Sequence, residues 1–381
     1  MCKKQSIKNT VLVGLVLLLF SCKPPKDGYS VYPKNISSSN FMVTVAGNGT
    51  AGYSGDGAAA NQASLYAPAG IAIDLAGNIY IADRANNRIR KVASGSGIIS
   101  TLAGNGTVGY SGDGGLANLA KLNNPSGVAV DASGNIYIAD AGNNCIRKVM
   151  VNSGIINTIA GTGIAGFGGD NNFATTAQLS NPTGVATDSY GNIYIADNLN
   201  NRIRKIAASN QVITTIAGGG ICTSGGFCGD SALATSAALY KPMAVTVDAS
   251  GNIYIADTGN NRIRLVAANT GIIYTIVGTG LIGFSGDGGQ ATSAYLHNPY
   301  GVAVDNVGNL YVADNLNNRI REVEVGIEII STVAGSGVGS YSGDGWIPAA
   351  AEIQNPYGIA LDANGNIYVA DCNNQRVRRF Y

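Results

Sequence analysis

Aspartates at three positions recur six times along the sequence and make up 18 of its 23 acidic residues. Carboxylates at such regular spacing can bind a metal ion, act as acids or bases, or accept hydrogen bonds from arginine and from the backbone. The first copy holds Asp56, Asp74 and Asp83. Because each copy must solve the same backbone problem, we expect these aspartates to cap turns or to pair with arginine rather than to form one reactive centre.

An arginine recurs with the same period, seven residues after the last of these aspartates. A guanidinium group between packed strands needs acceptors, and carboxylates and carbonyl groups supply them. We therefore predict structural clamps between strands at these aspartates and arginines. The predicted clamp residues are Asp83, Arg90, Asp140, Arg147, Asp197, Arg204, Asp257, Arg264, Asp314, Arg321, Asp371 and Arg378.

A second arginine stands two residues before the first in five of the six copies, whereas the second copy has Cys145 at this position. We expect Asp140 of that copy to lack a neighbour that the equivalent aspartates have. The sequence leaves open whether this break in symmetry marks a site or has no function.

Histidine occurs once, as His297. A zinc site with several histidines is therefore excluded, and a Ser-His-Asp triad would depend on this one residue, which we interpret as a loop histidine. Departures from the repeat are otherwise sparse, so we predict no catalytic residue and no cofactor. A calcium site at the repeated Gly-Asp-Gly loops is an alternative, although one carboxylate per loop is few for a hard cation.

An aromatic residue stands three positions before the aspartate of each long loop. Two interpretations stay open, since the rings either pack over their own loops or expose faces that stack on sugars or on a partner's side chains. We expect the loop aspartate to cap a short helical turn whose apolar side folds onto the sheet. The candidate binding face comprises Tyr53, Tyr110, Phe167, Phe227, Phe284 and Tyr341.

Two cysteines lie close together in the one long loop that carries a three-residue insertion. Disulfides are typical of exported proteins, and we predict a bond between Cys222 and Cys228. We expect Cys145 and Cys372 to stay unpaired.

The elements that position these residues form a tandem repeat, because GNIYIAD or a near copy recurs at intervals of 57, 57, 60, 57 and 57 residues. Each copy contains four short segments rich in β-branched and aromatic residues, such as GIAID, NIYIAD, RIRKV and IISTLAG. Gly-Asn and Asn-Asn supply the turns between them. The pattern predicts four antiparallel strands per copy and six copies, which is typical of a β-propeller.

An additional fourth-strand segment, Phe41–Gly47, precedes the first copy, and the last copy ends after its third strand. Joining the two closes the ring, so we predict an all-β, six-bladed β-propeller of four-stranded antiparallel blades, closed by the N-terminal strand. The motifs PxGIAxD, GNIYIAD and NNRIRKV resemble the NHL repeat, known for six-bladed propellers such as those of the teneurins. The resemblance implies the fold and assigns no activity.

The N-terminus has lysines followed by the apolar stretch Val11–Phe20, which is typical of an export signal. Leu-Phe-Ser-Cys at residues 19–22 resembles a bacterial lipobox, and this resemblance implies lipidation of Cys22. We therefore expect a signal peptide at 1–21, a flexible tether at 22–40 and the propeller at 41–381. The predicted location is the bacterial cell envelope, with a lipid anchor in the outer membrane.

Lysine and arginine number 24 against 23 acidic residues, so the net charge of +1 gives no steering toward nucleic acid. Together these features predict a noncatalytic, envelope-anchored, monomeric binding module whose loop-rich face meets a protein or glycan partner. One alternative is a lyase or hydrolase that acts at the propeller tunnel with a divalent metal. The other is a structural envelope protein.

Overall fold

The computed structural model describes residues 40–221 and 227–381, which form six antiparallel sheets arranged as the blades of a propeller. Blade one contains β2 (Pro68–Ile73), β3 (Ile79–Asp83), β4 (Arg88–Val92) and β5 (Ile99–Ala103). Blade two contains β6 (Pro125–Val130), β7 (Ile136–Asp140), β8 (Cys145–Val149) and β9 (Ile156–Ala160). Blade three contains β10 (Asn172–Phe173), β11 (Pro182–Thr187), β12 (Ile193–Asp197), β13 (Arg202–Ile206) and β14 (Val212–Gly218).

The second half of the ring repeats this arrangement. Blade four contains β15 (Ala232–Leu233), β16 (Ala244–Val247), β17 (Ile253–Asp257), β18 (Arg262–Val266) and β19 (Ile272–Val277). Blade five contains β20 (Gly289–Gln290), β21 (Pro299–Val304), β22 (Leu310–Asp314), β23 (Arg319–Val323) and β24 (Ile329–Ala334). Blade six contains β1 (Val43–Ala46), β25 (Pro356–Leu361), β26 (Ile367–Asp371) and β27 (Arg376–Phe380).

Every helix in the described part of the chain is a single 3₁₀ turn in a long loop or between the second and third strands of a blade. These turns are Ala60–Gln62, Arg84–Asn86, Ala117–Leu119, Ala141–Asn143, Ala174–Thr176, Asn198–Asn200, Ala234–Ser236, Thr258–Asn260, Ala291–Ser293, Asn315–Asn317, Pro348–Ala350 and Cys372–Asn374. None of the helices in residues 40–221 and 227–381 has the length and apolar character that crossing a bilayer requires.

The predicted closure of the ring is confirmed. β1 pairs antiparallel with β27 and is the outermost strand of the sheet that also contains β26 and β25. Met42, just before β1, is fully buried and packs with Phe380 in the core of this part of the ring. The first strand of the propeller therefore completes its last blade.

The prediction of four-stranded blades needs an extension, because blades three, four and five have a fifth, two-residue strand from the long loop. In blades one and two the same contact is a single bridge, as between Ala59 and Ile98. The long loop thus descends along the outer edge of the blade, where Gly57 N donates to Ile99 O at 2.8 Å. This pairing covers the edge of a strand that would otherwise be free.

The innermost strands converge on a central tunnel and leave no room for side chains at one position. A Cβ atom on Gly70 of β2 would lie 2.7 Å from the Ser126 carbonyl oxygen of the next blade. Blade four has Ala244 where the other blades have this glycine, and its inner strand is the one that begins two residues later than the repeat predicts. Convergence therefore gathers the starts of all six inner strands at one end of the tunnel.

Strand direction divides the loops between the two sides of the ring. The long loops lead into the inner strands on the side where the turns between the second and third strands also lie. We call this side the loop face. In blade one it includes Asn86, whose Nδ2 donates to Gly52 O of the long loop at 2.7 Å.

Candidate functional site

Each predicted clamp arginine lies, fully buried, between two carboxylates. In blade one, Arg90 Nη1 lies 3.2 Å from Asp83 Oδ2 and Nη2 lies 2.6 Å from Asp56 Oδ1. Across the six blades the inner distances are 3.2–3.4 Å and the outer ones 2.6–2.7 Å. The inner partner is the aspartate that ends the second strand, and the outer partner is the loop aspartate.

The expectation that the loop aspartate caps a helical turn is wrong. The 3₁₀ turn at Ala60–Gln62 follows Ala59 and has no side-chain cap. Asp56 instead accepts from Thr101 N of β5 at 3.1 Å and pairs with Arg90. Asp56 is held by the charge of Arg90 on the third strand. The two residues are far apart in the sequence, so local sequence patterns do not reveal this contact. The expected apolar contact does form, since Leu65 is fully buried.

The inner aspartate organises the backbone around it. Asp83 is fully buried and accepts hydrogen bonds from Tyr66 N at 2.8 Å and from Asn86 Nδ2 at 2.9 Å. Burial raises the pKa of Asp83, and these bonds together with Arg90 oppose the rise. Every acceptor direction of the carboxylate faces a donor from the protein, so the clamp fixes the long loop, the turn and the third strand together.

The aspartate that ends the first strand is a turn cap. Asp74 Oδ1 accepts from Asn78 N at 2.8 Å, and its Oδ2 accepts from Asn78 Nδ2 at 2.7 Å and from the hydroxyl of Tyr80 at 2.9 Å. Burial works to raise the pKa of Asp74, but these hydrogen bonds outweigh it and lower the pKa. The repeated acids are therefore engaged in structural bonds.

The six loop aromatics are partly exposed and backed by arginine. The ring centroid of Tyr53 lies 3.6 Å from Arg88 Cζ and 4.8 Å from Arg90 Cζ. In the five blades that have the first of these arginines the distance is 3.5–3.9 Å. Five of the rings are 38–53% exposed and Phe227 is half-buried. Each ring is thus contacted by arginine from the third strand, and part of the ring remains accessible.

The second blade departs from this pattern at Cys145, which is fully buried. Asp140 keeps its bonds to Arg147, to Asn123 N and to Asn143. As expected, Asp140 lacks the arginine that faces its equivalents across the strand pair, because Cys145 stands there. Its hydrogen bonds are unaffected, since in the other blades this arginine lies over the ring of the loop aromatic. Tyr110 has no such close arginine and is the most exposed of the rings, at 53%.

Side-chain variety is concentrated at two positions of each blade, which together we call the tunnel mouth. The first is the second residue of the five inner-strand Pro-x-Gly motifs and of their Pro-Met-Ala counterpart in blade four, and the second is the residue that follows each inner clamp aspartate. The second residues are Ala69, Ser126, Thr183, Met243, Tyr300 and Tyr357. The residues after the clamp aspartates are Arg84, Ala141, Asn198, Thr258, Asn315 and Cys372. Sequence reasoning missed both positions, although a comparison of the six copies column by column shows them as the variable neighbours of invariant residues.

Two tyrosines narrow the tunnel. The ring centroids of Tyr300 and Tyr357 lie 4.6 Å apart with their planes tilted by 57°. The Tyr357 hydroxyl lies 3.3 Å from Ser126 Oγ of blade two, beyond the small Ala69 of blade one. Both tyrosines and Ser126 line a cavity of about 90 Å³. Arg84 Cζ lies 5.4 Å from the Tyr357 ring centroid.

Three blades use the residue after the clamp aspartate to bind the next blade. Asn198 Nδ2 donates to Pro242 O at 3.1 Å, and Asn315 Nδ2 donates to Pro356 O at 2.9 Å. Thr258 Oγ1 donates to Pro299 O at 2.5 Å. The other three blades have Cys372, Arg84 and Ala141 at this position, and no side chain of the described residues donates to the equivalent proline carbonyls.

The remaining predicted site residues lie apart from the tunnel mouth or outside the described ranges. His297 N donates to Asp314 Oδ1 at 2.8 Å, which places the histidine at the end of a long loop. Cys22 and Cys222 lie outside the described residues. The lipidation of Cys22 and the choice of Cys222 as the disulfide partner of Cys228 therefore stay predictions. Cys228 is disulfide-bonded, whereas Cys145 and Cys372 are free thiols.

A metal centre finds no support in the described geometry. Residues 40–221 and 227–381 contain no group of three histidine, cysteine, aspartate or glutamate side chains placed to hold a metal ion. The thiol of the tunnel mouth, Cys372, is buried, and burial raises its pKa, which disfavours the thiolate. The calcium alternative stays untested.

Comparison with solved structures gives the same fold. An auxiliary nutrient binding protein from Bacteroides thetaiotaomicron superposes with a TM-score of 0.62 over 90% of this chain and 76% of its own, at 15% sequence identity. Identity at this level shows a shared fold and carries no activity with it.

Sequence relatives are more informative about family. The chain is 30% identical over 293 residues to Protein SUPPRESSOR OF QUENCHING 1, chloroplastic, of Arabidopsis thaliana, covering 74% of this chain and 27% of the relative. It is 35% identical over 237 residues to human Teneurin-1, covering 56% of this chain and 8% of the relative. The chain thus spans only a small part of the length of these relatives.

Family models match most of the repeats. The teneurin NHL domain matches residues 37–111, 106–167, 220–284 and 282–340. The NHL repeat matches residues 179–206 and 354–380. Since the first of these models alone covers more than half of the sequence, the chain belongs to the family of NHL-repeat proteins, with repeats of the teneurin type.

Proposed function

We propose that this propeller is a noncatalytic, monomeric binding module that presents its loop face to a protein or glycan partner. The observation that carries the proposal is the set of six arginine-contacted aromatic rings, five of them 38–53% exposed. A ring fixed by its surroundings loses little conformational freedom on binding and offers both apolar area and a stacking surface. Such rings are typical anchors of recognition surfaces.

The acidic residues of the loop face are already bonded within the protein, which argues against an enzyme active site on this face. Asp83 and Asp56 of the loop face are both paired with Arg90. General acid-base catalysis needs a carboxyl group free to exchange its proton with a substrate. The auxiliary nutrient binding protein of the same fold supports a binding role by analogy of architecture.

We further propose that the propeller is attached to the bacterial envelope by a lipid on Cys22, with residues 22–40 as tether. The outer membrane is the proposed site of attachment. Such an anchor keeps the propeller in the envelope, where glycans and envelope proteins are the available partners.

Tyr110→Ala tests the aromatic surface. The full chain is first screened on arrayed glycans and purified envelope proteins, with and without divalent metal. Against a partner so found, we expect the variant to bind about tenfold more weakly, since removal of an aromatic anchor costs on the order of 1–2 kcal/mol.

Tyr190→Ala provides the matched control. Tyr190 is 82% exposed and lies in the turn between β11 and β12, on the side opposite the loop face. Its affinity for the same partner should equal that of the wild type. Equal losses in the two variants, or a glycan or protein that is cleaved rather than bound, would refute a binding role for the loop face.

A further inference from the structure

The tunnel mouth contains a contiguous sector that the blade-to-blade bonds leave open. Asn198, Thr258 and Asn315 bond blades three to six in succession through proline carbonyls. The corresponding positions in blades six, one and two hold Cys372, Arg84 and Ala141. The inner strands of blades one, two and three therefore start without this side-chain bond. The first of them, β2, packs against β25, which carries Tyr357.

Arg84 is the charged group of this sector and has no acceptor. The side chain is half-buried, and no described residue forms an ion pair or accepts a hydrogen bond from its guanidinium group. Each clamp arginine, by contrast, meets two carboxylates. A guanidinium group has five N–H donors, and partial burial without acceptors is unfavourable until an anion supplies them.

The three titratable groups on which the charge of Arg84 acts, Tyr357, Tyr300 and Cys372, are neutral near pH 7. Burial raises the pKa of Tyr357 to about 12, and burial raises the pKa of Tyr300 and of Cys372 as well. The positive charge of Arg84 opposes this rise of the pKa in each of the three groups, so the charge acts on this sector. The positive charge is therefore not neutralised by its own surroundings.

Tyr357, whose ring Arg84 contacts, lines a cavity of the tunnel together with Tyr300 and Ser126. Its volume of about 90 Å³ is room for several water molecules, since one water needs about 10–15 Å³ by this measure. That space holds a carboxylate with a few carbon atoms. The hydroxyls of Tyr357 and Ser126 lie at its wall and supply donors, while the tilted rings offer apolar contact.

We propose that the tunnel mouth binds the carboxylate of a small organic anion. The guanidinium group of Arg84 pairs with the carboxylate, the Tyr357 and Ser126 hydroxyls donate to it, and the two tyrosine rings contact the ligand's carbon atoms. A planar carboxylate matches the fork of a guanidinium group better than a tetrahedral anion does. This site is distinct from the aromatic loop surface and does not depend on its partner.

Propionate is a suitable probe, with propionamide as its neutral isostere and inorganic phosphate as the tetrahedral anion. Binding to the full chain is measured by saturation-transfer NMR for the two organic probes and by calorimetry for all three, at constant ionic strength. We expect propionate to bind and the affinities for propionamide and phosphate to be at least tenfold weaker. Equal binding of propionamide, or tighter binding of phosphate, overturns the proposal.

Arg84→Gln assigns the site. We expect propionate affinity to fall at least tenfold, while Arg88→Gln, which removes the same charge from the ring of Tyr53 in the same blade, leaves it within twofold. Tyr357→Phe, which keeps the ring and removes one donor, should weaken binding about threefold. Equal losses for Arg84→Gln and Arg88→Gln overturn the assignment.

The test of the anion site at the tunnel mouth can be distinguished from the test of the aromatic rings on the loop face. Arg84→Gln should leave partner binding unchanged in the screen described above, and Tyr110→Ala should leave propionate binding unchanged. Thermal unfolding of each variant within a few degrees of the wild type establishes that the ring is intact. A loss of propionate binding in Tyr110→Ala would show that the mouth is not an independent site.

Discussion

Arg147 lies between two carboxylates of unequal burial, and this arrangement gives the clamp a pH dependence. Burial raises the pKa of Asp140 to about 6, against the opposing hydrogen bonds and the charge of Arg147. The ordinary value is 3.8, so the folded chain binds more protons than the unfolded chain between these two pH values. The free energy of unfolding contributed by this group therefore falls as the pH rises from about 4 to about 6.

Arg147→Met should expose this dependence. The variant leaves Asp140 buried without its cation, and loss of one partner of a buried ion pair typically costs about 3–5 kcal/mol. We expect a loss of this size at pH 7 and a smaller one at pH 5, where Asp140 takes up a proton. Urea unfolding at the two pH values measures both. The neighbouring Lys148→Met should cost about 0.5 kcal/mol, and an equal loss at both pH values for Arg147→Met would contradict the role of Asp140.

The sequence alone predicts the contacts of residues that repeat in every blade better than the contacts of residues that vary between blades. Pairing of Asp83 with Arg90 follows from their shared period, because both positions meet the same strand six times. The second acceptor, Asp56, could not be predicted, since it approaches Arg90 only when the long loop crosses the blade. The contact of Arg84 with Tyr357 joins blades one and six, and it depends on how closely the inner strands converge.

At the scale of elements, the long loop has two functions that its composition does not reveal. It crosses the second and third strands of a blade and then pairs with the outer strand, as β10 does with β14. The alternation of strands and turns predicts the four repeated strands, because their apolar residues and turn residues are local signals. A two-residue strand such as β15 or β20 has no such signal and forms because an outer edge is available.

The closing strand β1 is the element on which the ring depends most directly. Met42→Asp introduces a charge among apolar side chains at a fully buried position beside β1 and should detach this strand from β27. We expect hydrogen-exchange protection to be lost in residues 43–46 and 376–380 before it is lost in β12. Phe41→Asp is the control, because Phe41 is exposed and should tolerate the charge. Equal protection in both variants would show that β1 does not close the ring.

At the scale of the whole molecule, the balance of charges bears on how the chain could attach to a membrane. The chain has a net charge of +1, so an anionic bilayer gives little attraction, and no described helix is suited to span a membrane. In the proposed attachment, a lipid on Cys22 supplies the affinity for the bilayer. Each acyl methylene group contributes about 0.8 kcal/mol of binding to the bilayer, and a single chain gives only reversible attachment.

Cys22→Ser tests this attachment at the level of the intact protein. We expect the wild-type chain to partition into the detergent phase, to sediment with membranes and to incorporate labelled palmitate. The variant should lose all three properties, because serine offers no thiol for acylation, and the propeller should remain folded. Cys2→Ser, another serine replacement near the N-terminus, should behave as the wild type does. A Cys22→Ser chain that still sediments with membranes would place the attachment elsewhere and would remove the reason for expecting the loop face to meet an envelope partner.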